Sequence, residues 1–188
     1  EVSTIAVAMA HGPPPPLPVA AGPFIGRDAE LTQLAAAVDE GTRLVTLLGP
    51  GGAGKTALAC HFAAGHPMGE NVPAYYVDLS TATDADDFMS AVSGVLGITL
   101  MADDPWSQLE RVVQKRGPCL WILDAFDRLA STLAGRLGDL AAASERSLFL
   151  VTTRTRLGHH TEQVVSVGAL SPEEGVALFE DRARNARE

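Results

Sequence analysis

Eight consecutive residues, Gly49-Pro50-Gly51-Gly52-Ala53-Gly54-Lys55-Thr56, restrict this chain more than any other part of it. They fit the pattern Gly-x-x-x-x-Gly-Lys-[Ser/Thr] without a mismatch. The pattern works only where a strand turns into a helix, and the flanks suit that. Arg43-Leu44-Val45-Thr46-Leu47-Leu48 reads as an apolar strand and Ala57-Leu58-Ala59-Cys60-His61-Phe62-Ala63-Ala64 as a helix. At such a turn the glycines let backbone N–H groups converge on a phosphate, and the helix N-terminus adds partial positive charge. Lys55 is expected to neutralise β- and γ-phosphate oxygens, and Thr56 to offer its hydroxyl to Mg²⁺. The expected phosphate-binding set is Gly49, Pro50, Gly51, Gly52, Ala53, Gly54, Lys55, Thr56 and Ala57.

The 188 residues suit one domain, and a hydrophobic content of 46% supports a real core. The net charge of −9 makes direct nucleic-acid binding a poor expectation, because that affinity comes mostly from neutralising phosphates. Cys60 and Cys119 lie in apolar stretches without metal or redox spacing, and read as buried reduced thiols of a cytosolic protein. No apolar run is long enough to span a bilayer. Val2 to Ala10 is mildly apolar but has no basic lead-in, which argues against a signal peptide. A polyproline run, Pro13 to Pro18, reads as a stiff spacer after residues 1–12, so that 1–22 form an upstream tail and linker and 23–188 a domain. Starting at Glu1 and stopping inside a helical pattern, the chain reads as a piece of a larger protein.

Beyond the spacer, helical and strand patterns alternate. Helices are expected over 28–40 with Asp28 as cap, 84–96 opened by Asp84, about 105–116, much of 126–143, and after Ser171-Pro172-Glu173-Glu174, a capping box. Strands are expected at 43–48, 73–79, 118–123, 147–152 and 164–167. That alternation predicts a parallel sheet with helices on both faces and a ligand beyond the carboxyl ends of the strands.

Leu120-Trp121-Ile122-Leu123-Asp124 ends a buried strand on a carboxylate, the placement expected of a group that holds the metal together with Thr56. The plainer reading makes Asp124 a helix cap. Asp127, three residues on, reads equally as the group that orients water or as a solvated helix residue. Val151-Thr152-Thr153-Arg154 ends another strand at the same edge, and its polar pair with Arg154 is a candidate γ-phosphate sensor, Arg154 reading otherwise as a surface arginine. His159 and His160 lack partners at ligand spacing and read as a solvated loop, as do His61 and His66. Trp106 and Trp121 read as packing residues.

Four segments in order resemble the STAND signal-transduction ATPases, which include the NB-ARC domains. Phe24-Ile25-Gly26-Arg27-Asp28-Ala29-Glu30-Leu31 is similar to the hydrophobic-Gly-Arg-x-x-Glu-Leu signature before their phosphate loop. Leu123 to Leu129 resembles their Walker B segment, Leu150 to Gly158 their sensor segment, and Leu170 to Phe179 the helix that follows. The resemblance implies a P-loop NTPase three-layer αβα sandwich with a five-stranded parallel sheet in the order 5-1-4-3-2. It implies that Ile25 and Arg27 approach adenine, that ATP or ADP binds with Mg²⁺, and that ADP holds an off state which ATP releases toward assembly. The catalytic candidates are Lys55, Asp124, Asp127 and Arg154, with Thr56 and Asp124 on the metal. The expected partners are nucleotide, other domains of a transcriptional regulator, and further copies of the chain. Ala125 stands where the family often has Asp or Asn. The chain is also expected to stop before the family's Gly-Leu-Pro-Leu-Ala segment and winged helix. A slowly hydrolysing switch follows, with a small-molecule phosphotransferase, a binding-only interaction module and an AAA+ motor as rival readings.

Overall fold

A computed structural model describes residues 14–18, 22–65, 72–101, 103–144 and 146–185. The apolar stretch from Val2 to Ala10, Pro13 and His66 lie outside the described residues. The elements run α1 (Asp28–Asp39), β1 (Leu44–Leu48), α2 (Lys55–Gly65), β2 (Ala74–Asp78), α3 (Ala85–Leu96), α4 (Pro105–Arg116), β3 (Leu120–Asp124), a 3₁₀ turn (Phe126–Arg128), α5 (Ala130–Ala143), β4 (Leu148–Thr153), β5 (Glu162–Ser166) and α6 (Pro172–Asn185).

The five strands pair in the order β2-β3-β4-β1-β5, every neighbouring pair parallel. Read from the other edge this is 5-1-4-3-2, the expected order. Side chains alternate between the two faces, so each strand feeds two cores. Leu44, Val77, Trp121, Leu123, Phe149 and Val151 face α3, α4 and α5, while Val45, Leu47, Ile122, Leu150 and Val165 face α1 and α2. All five residues of β3 and all six of β4 are buried. This is why these strands read as unbroken apolar runs rather than alternating ones. Tyr75, Trp121 and Phe149 stack in a row across β2, β3 and β4, with centroids 4.9 and 6.0 Å apart. Trp106 stacks on Phe88. Both tryptophans therefore pack as expected, and Cys60 and Cys119 are buried and free.

Local chemistry sets the element ends. Asp84 caps α3 by accepting from the N–H groups of Asp86 and Asp87 at 3.0 and 2.9 Å. The capping box of α6 forms as expected, with Glu174 N–H on Ser171 Oγ at 3.1 Å and Ser171 N–H on Glu174 Oε2 at 2.8 Å. Asp28 is not a cap. It is the first residue of α1, and the cap position falls to Arg27 at φ 70°, with no side-chain cap bond. The expected helix over 126–143 is also divided, because Ala125 at φ 60° and a 3₁₀ turn precede α5. Leu17, inside the expected spacer, packs against the core beneath α1 and α2. His159 is not solvated. Its side chain is 10% exposed, lies against Gly138, and puts Nε2 3.5 Å from Asp139. His160 is exposed, as expected. His61 is exposed too, but it lies within α2 rather than in a loop, and its ring stacks on Phe24 at 3.9 Å.

Candidate phosphate and metal site

The strands β1, β3 and β4 end side by side, and the three turns that follow them form the site. Gly49 leaves β1 with its N–H on Thr153 O at 3.2 Å, so the loop starts from the neighbouring strand's last residue. A Cβ at Gly49 would collide with the carbonyl oxygen of Val167, which explains a glycine there. Gly52 and Gly54 hold φ 77° and 88°, the left-handed region that turns successive N–H groups to one side. Ala53 N–H donates to Pro50 O, while the N–H groups of Gly51, Gly52 and Gly54 have no backbone acceptor among the described residues. Open donors ahead of the first turn of α2 make an anion cradle. Lys55 folds over the loop and donates to Gly49 O at 2.8 Å and Pro50 O at 2.9 Å. Partial burial lowers the Lys55 pKa from its ordinary value. Arg154 adds to that effect, while Asp127 and Asp124 oppose it.

The carboxylate of Asp124 is 8% exposed and meets three hydroxyls. Its Oδ1 accepts from Thr56 at 2.7 Å and Thr152 at 2.6 Å, and its Oδ2 from Tyr76 at 2.9 Å. Asp124 thus joins Thr56, as the sequence suggests, and does not act as the cap of a following helix. Among the described residues no group of three or more His, Cys, Asp or Glu converges on a metal position. A cation here would rest on one carboxylate, one hydroxyl, phosphate oxygens and water, a hard-oxygen set that fits Mg²⁺. Burial, then Asp124, raises the Tyr76 phenol pKa, and the same two causes push the Cys60 thiol up to about 11.

Asp127 sits in the 3₁₀ turn, and its Oδ1 accepts from Arg154 N–H at 2.6 Å and from Thr153 Oγ at 3.5 Å. The Arg154 guanidinium lies beside Gly51 of the phosphate loop, with Nε 3.9 Å from Asp127. Asp127 is therefore bound to the turn after β4. Ala125, next to Asp124, donates its N–H to Thr152 Oγ at 2.9 Å. Its left-handed backbone is one that Asn, Asp and Gly tolerate better than Ala. Ala125→Gly is expected to stabilise the fold by about 0.5–1 kcal/mol, read as a higher denaturant midpoint at constant slope.

A cleft of about 300 Å³ adjoins the loop. It is lined by Phe24 and Ile25 before α1, by Gly52 to Gly54 and Ala57, and by Leu170 and Leu178 of the last segment. Ile25 and Arg27 both line it, but Arg27 is 6% exposed and its guanidinium faces protein groups. It donates to Glu30 at 2.7 Å, Ala53 O at 2.9 Å and Gly168 O at 2.7 Å. Its backbone N–H reaches Glu174 Oε1 at 3.1 Å. One residue thereby ties α1, the phosphate loop, the segment after β5 and the start of α6 together. Three neighbours escaped the sequence reading as site residues, Tyr76, Gly168 and Glu174, while Thr152, read as part of the sensor pair, turns out to bond Asp124. None carries a local pattern at this edge, apart from the capping-box role of Glu174.

The family model described as AAA ATPase domain matches residues 23–186. An uncharacterized protein of Mycobacterium tuberculosis is 30% identical over 167 residues, 87% of this chain and 42% of that one. A protein of the same organism, provisionally named an HTH-type transcriptional regulator, is 31% identical over 146 residues, 75% of this chain and 16% of that one. The chain therefore spans less than half the length of these curated relatives. Among solved structures, a STAND protein with a tetratricopeptide repeat sensor from Pyrococcus horikoshii aligns with TM-score 0.55 and 21% identity, over 89% of this chain and 27% of that one. Cdc6p from Pyrobaculum aerophilum aligns with TM-score 0.63 and 16% identity, over 88% of this chain and 52% of that one. At those identities the structural matches speak for the fold.

Proposed function

Because the chain belongs to the AAA ATPase domain family, we propose that it serves a larger regulator as an ATP- and ADP-binding switch that hydrolyses ATP slowly. One observation carries the reading. The phosphate loop, the Thr56–Asp124 pair at 2.7 Å and an apolar cleft open onto one sheet edge. That arrangement has a place for phosphates, for a divalent cation and for a flat apolar base. The N–H groups of the loop would hold the phosphates and Lys55 their charge. Thr56 and Asp124 would hold Mg²⁺, and Ile25, Ala57 and Leu170 would flank the base. When bound, Mg²⁺ supplies charge neutralisation between the phosphates.

Slow turnover follows from the acids present. Ala125 offers no polar side-chain group to a water. The Oδ1 of Asp127 accepts the Arg154 N–H, so Asp127 is better placed to hold the turn after β4 than to move freely to a water. Arg154, whose guanidinium lies beside Gly51, would meet a γ-phosphate and report its presence through Asp127 to the 3₁₀ turn. The regulatory setting is supported by the relative named as a transcriptional regulator and by the likeness of the sequence segments to STAND ATPases. Nucleotide-dependent assembly with further copies belongs to the same reading.

Purified protein is expected to release ADP or ATP on denaturation, identified by ion-exchange chromatography, and to bind added ADP more tightly with Mg²⁺ than with EDTA. Protein that elutes free of nucleotide and gives no calorimetric signal with either would remove the reading. Transfer of phosphate to a panel of small-molecule acceptors would favour a phosphotransferase instead.

A further inference from the structure

Three hydroxyls from three elements hold the Asp124 carboxylate, and they are not equivalent. Thr56 opens α2 on the phosphate loop, so its hydroxyl is the one a cation would share. Thr152 accepts the Ala125 N–H at 2.9 Å, which commits its own proton to Asp124 Oδ1. Among the described residues Oδ2 has one side-chain donor, Tyr76 at 2.9 Å. We propose that Tyr76 is a positioning residue for the metal corner: its hydroxyl fixes Oδ2 of Asp124 and so keeps Oδ1 aimed at Thr56.

The placement follows from the sheet. In the β2–β3 register Tyr76 pairs with Ile122, so its side chain leaves the sheet on the same face as Ile122 and Asp124. The ring packs against the core beneath α1 and α2. The hydroxyl is therefore carried by a packed, rigid ring to the carboxylate, with no rotatable chain between. A phenylalanine would keep the ring and its packing. It would leave Oδ2, on a carboxylate 8% exposed, without its side-chain donor. The carboxylate would then turn about its own axis to recover a partner, taking Oδ1 off Thr56. Groups that orient a metal ligand from behind act in this way.

The inference rests on the reading that Thr56 and Asp124 hold a divalent cation, and the experiment separates the two. ADP is titrated calorimetrically into the parent chain, Tyr76→Phe, Asp124→Asn and the double variant, each in EDTA and in Mg²⁺. Mn²⁺ replaces Mg²⁺ in a parallel series read by electron paramagnetic resonance. Tyr76→Phe is expected to melt a few degrees below the parent, to bind ADP in EDTA about as tightly, and to gain roughly ten-fold less from the metal. On the Asp124→Asn background Tyr76→Phe is expected to change nothing further, as coupled partners require. A parent that gains from Mg²⁺ and a Tyr76→Phe variant that gains equally would overturn the role of Tyr76 alone. Equal losses on both backgrounds would do the same. A parent that binds ADP without any gain from Mg²⁺ overturns the metal corner and this inference with it.

Discussion

Lys55→Ala is expected to abolish measurable binding of ATP and ADP. The ammonium bonds to Gly49 O and Pro50 O at 2.8 and 2.9 Å, which holds its charge over the cradle formed by the open N–H groups of Gly51, Gly52 and Gly54. A bound polyphosphate would take the ammonium's donors in place of those carbonyls. A hydrogen bond to a charged group contributes about 1.5–3 kcal/mol, so losing two such bonds weakens binding by roughly 100-fold or more. The fold is expected to tolerate the change. The two carbonyls lie at a loop open to solvent, and water can replace the lysine there. Calorimetry with ADP and a thermal melt, run together, separate these effects. Lys55→Arg is expected to fail as well, because the planar guanidinium needs more room than a point ammonium and spreads its donors differently. Affinity unchanged in Lys55→Ala would sink the nucleotide assignment.

The parts of the site differ in how far the sequence exposes them, and the reason is distance along the chain. The phosphate loop is eight adjacent residues whose types are fixed by local backbone needs, and the structure shows these needs at Gly49, Gly52 and Gly54. The buried strand ending in Asp124 was legible because a strand covered on both faces is apolar throughout. The order of the strands was not legible from patterning, and came from resemblance to a family. Thr152 and Tyr76 touch Asp124 from 28 and 48 residues away, through strand registers that no local pattern encodes. Asp28 read as a cap because aspartate before an apolar stripe commonly is one. A left-handed residue at Arg27 moved the helix start by one position and gave the cap site to a side chain that points inward. The sequence marked Arg27 by resemblance and pointed it at a base. The contacts that consume its guanidinium come from Ala53 and Gly168, and were invisible until β5 was placed beside β1.

Those contacts make Arg27→Ala the substitution with the largest expected effect on stability. It removes a guanidinium with 7% side-chain exposure and strands three acceptors: the Glu30 carboxylate, Ala53 O and Gly168 O. Breaking a buried, hydrogen-bonded ion pair by removing one partner costs about 3 kcal/mol or more, which for a domain of this size lowers the melting temperature by roughly 10 °C. Arg27 also sits at φ 70°, where any residue with a Cβ is strained. Arg27→Gly loses the same bonds but relieves about 1 kcal/mol of that strain, and should melt a few degrees above Arg27→Ala. Arg27→Lys keeps charge and backbone, yet a single ammonium cannot serve three acceptors spread around a planar fork, so it should fall between the parent and Arg27→Gly. Parent, Lys, Gly, Ala is therefore the expected order of melting temperatures. ADP affinity should fall in all three variants, because Ala53 O is part of the phosphate loop and Gly168 lies on the wall of the adjoining cleft. If Arg27→Ala melted within about 2 °C of the parent, the guanidinium would be holding nothing that solvent could not. The tie between the phosphate loop and the segment after β5 would then have to lie in the apolar contacts of Phe24 and Val167 instead.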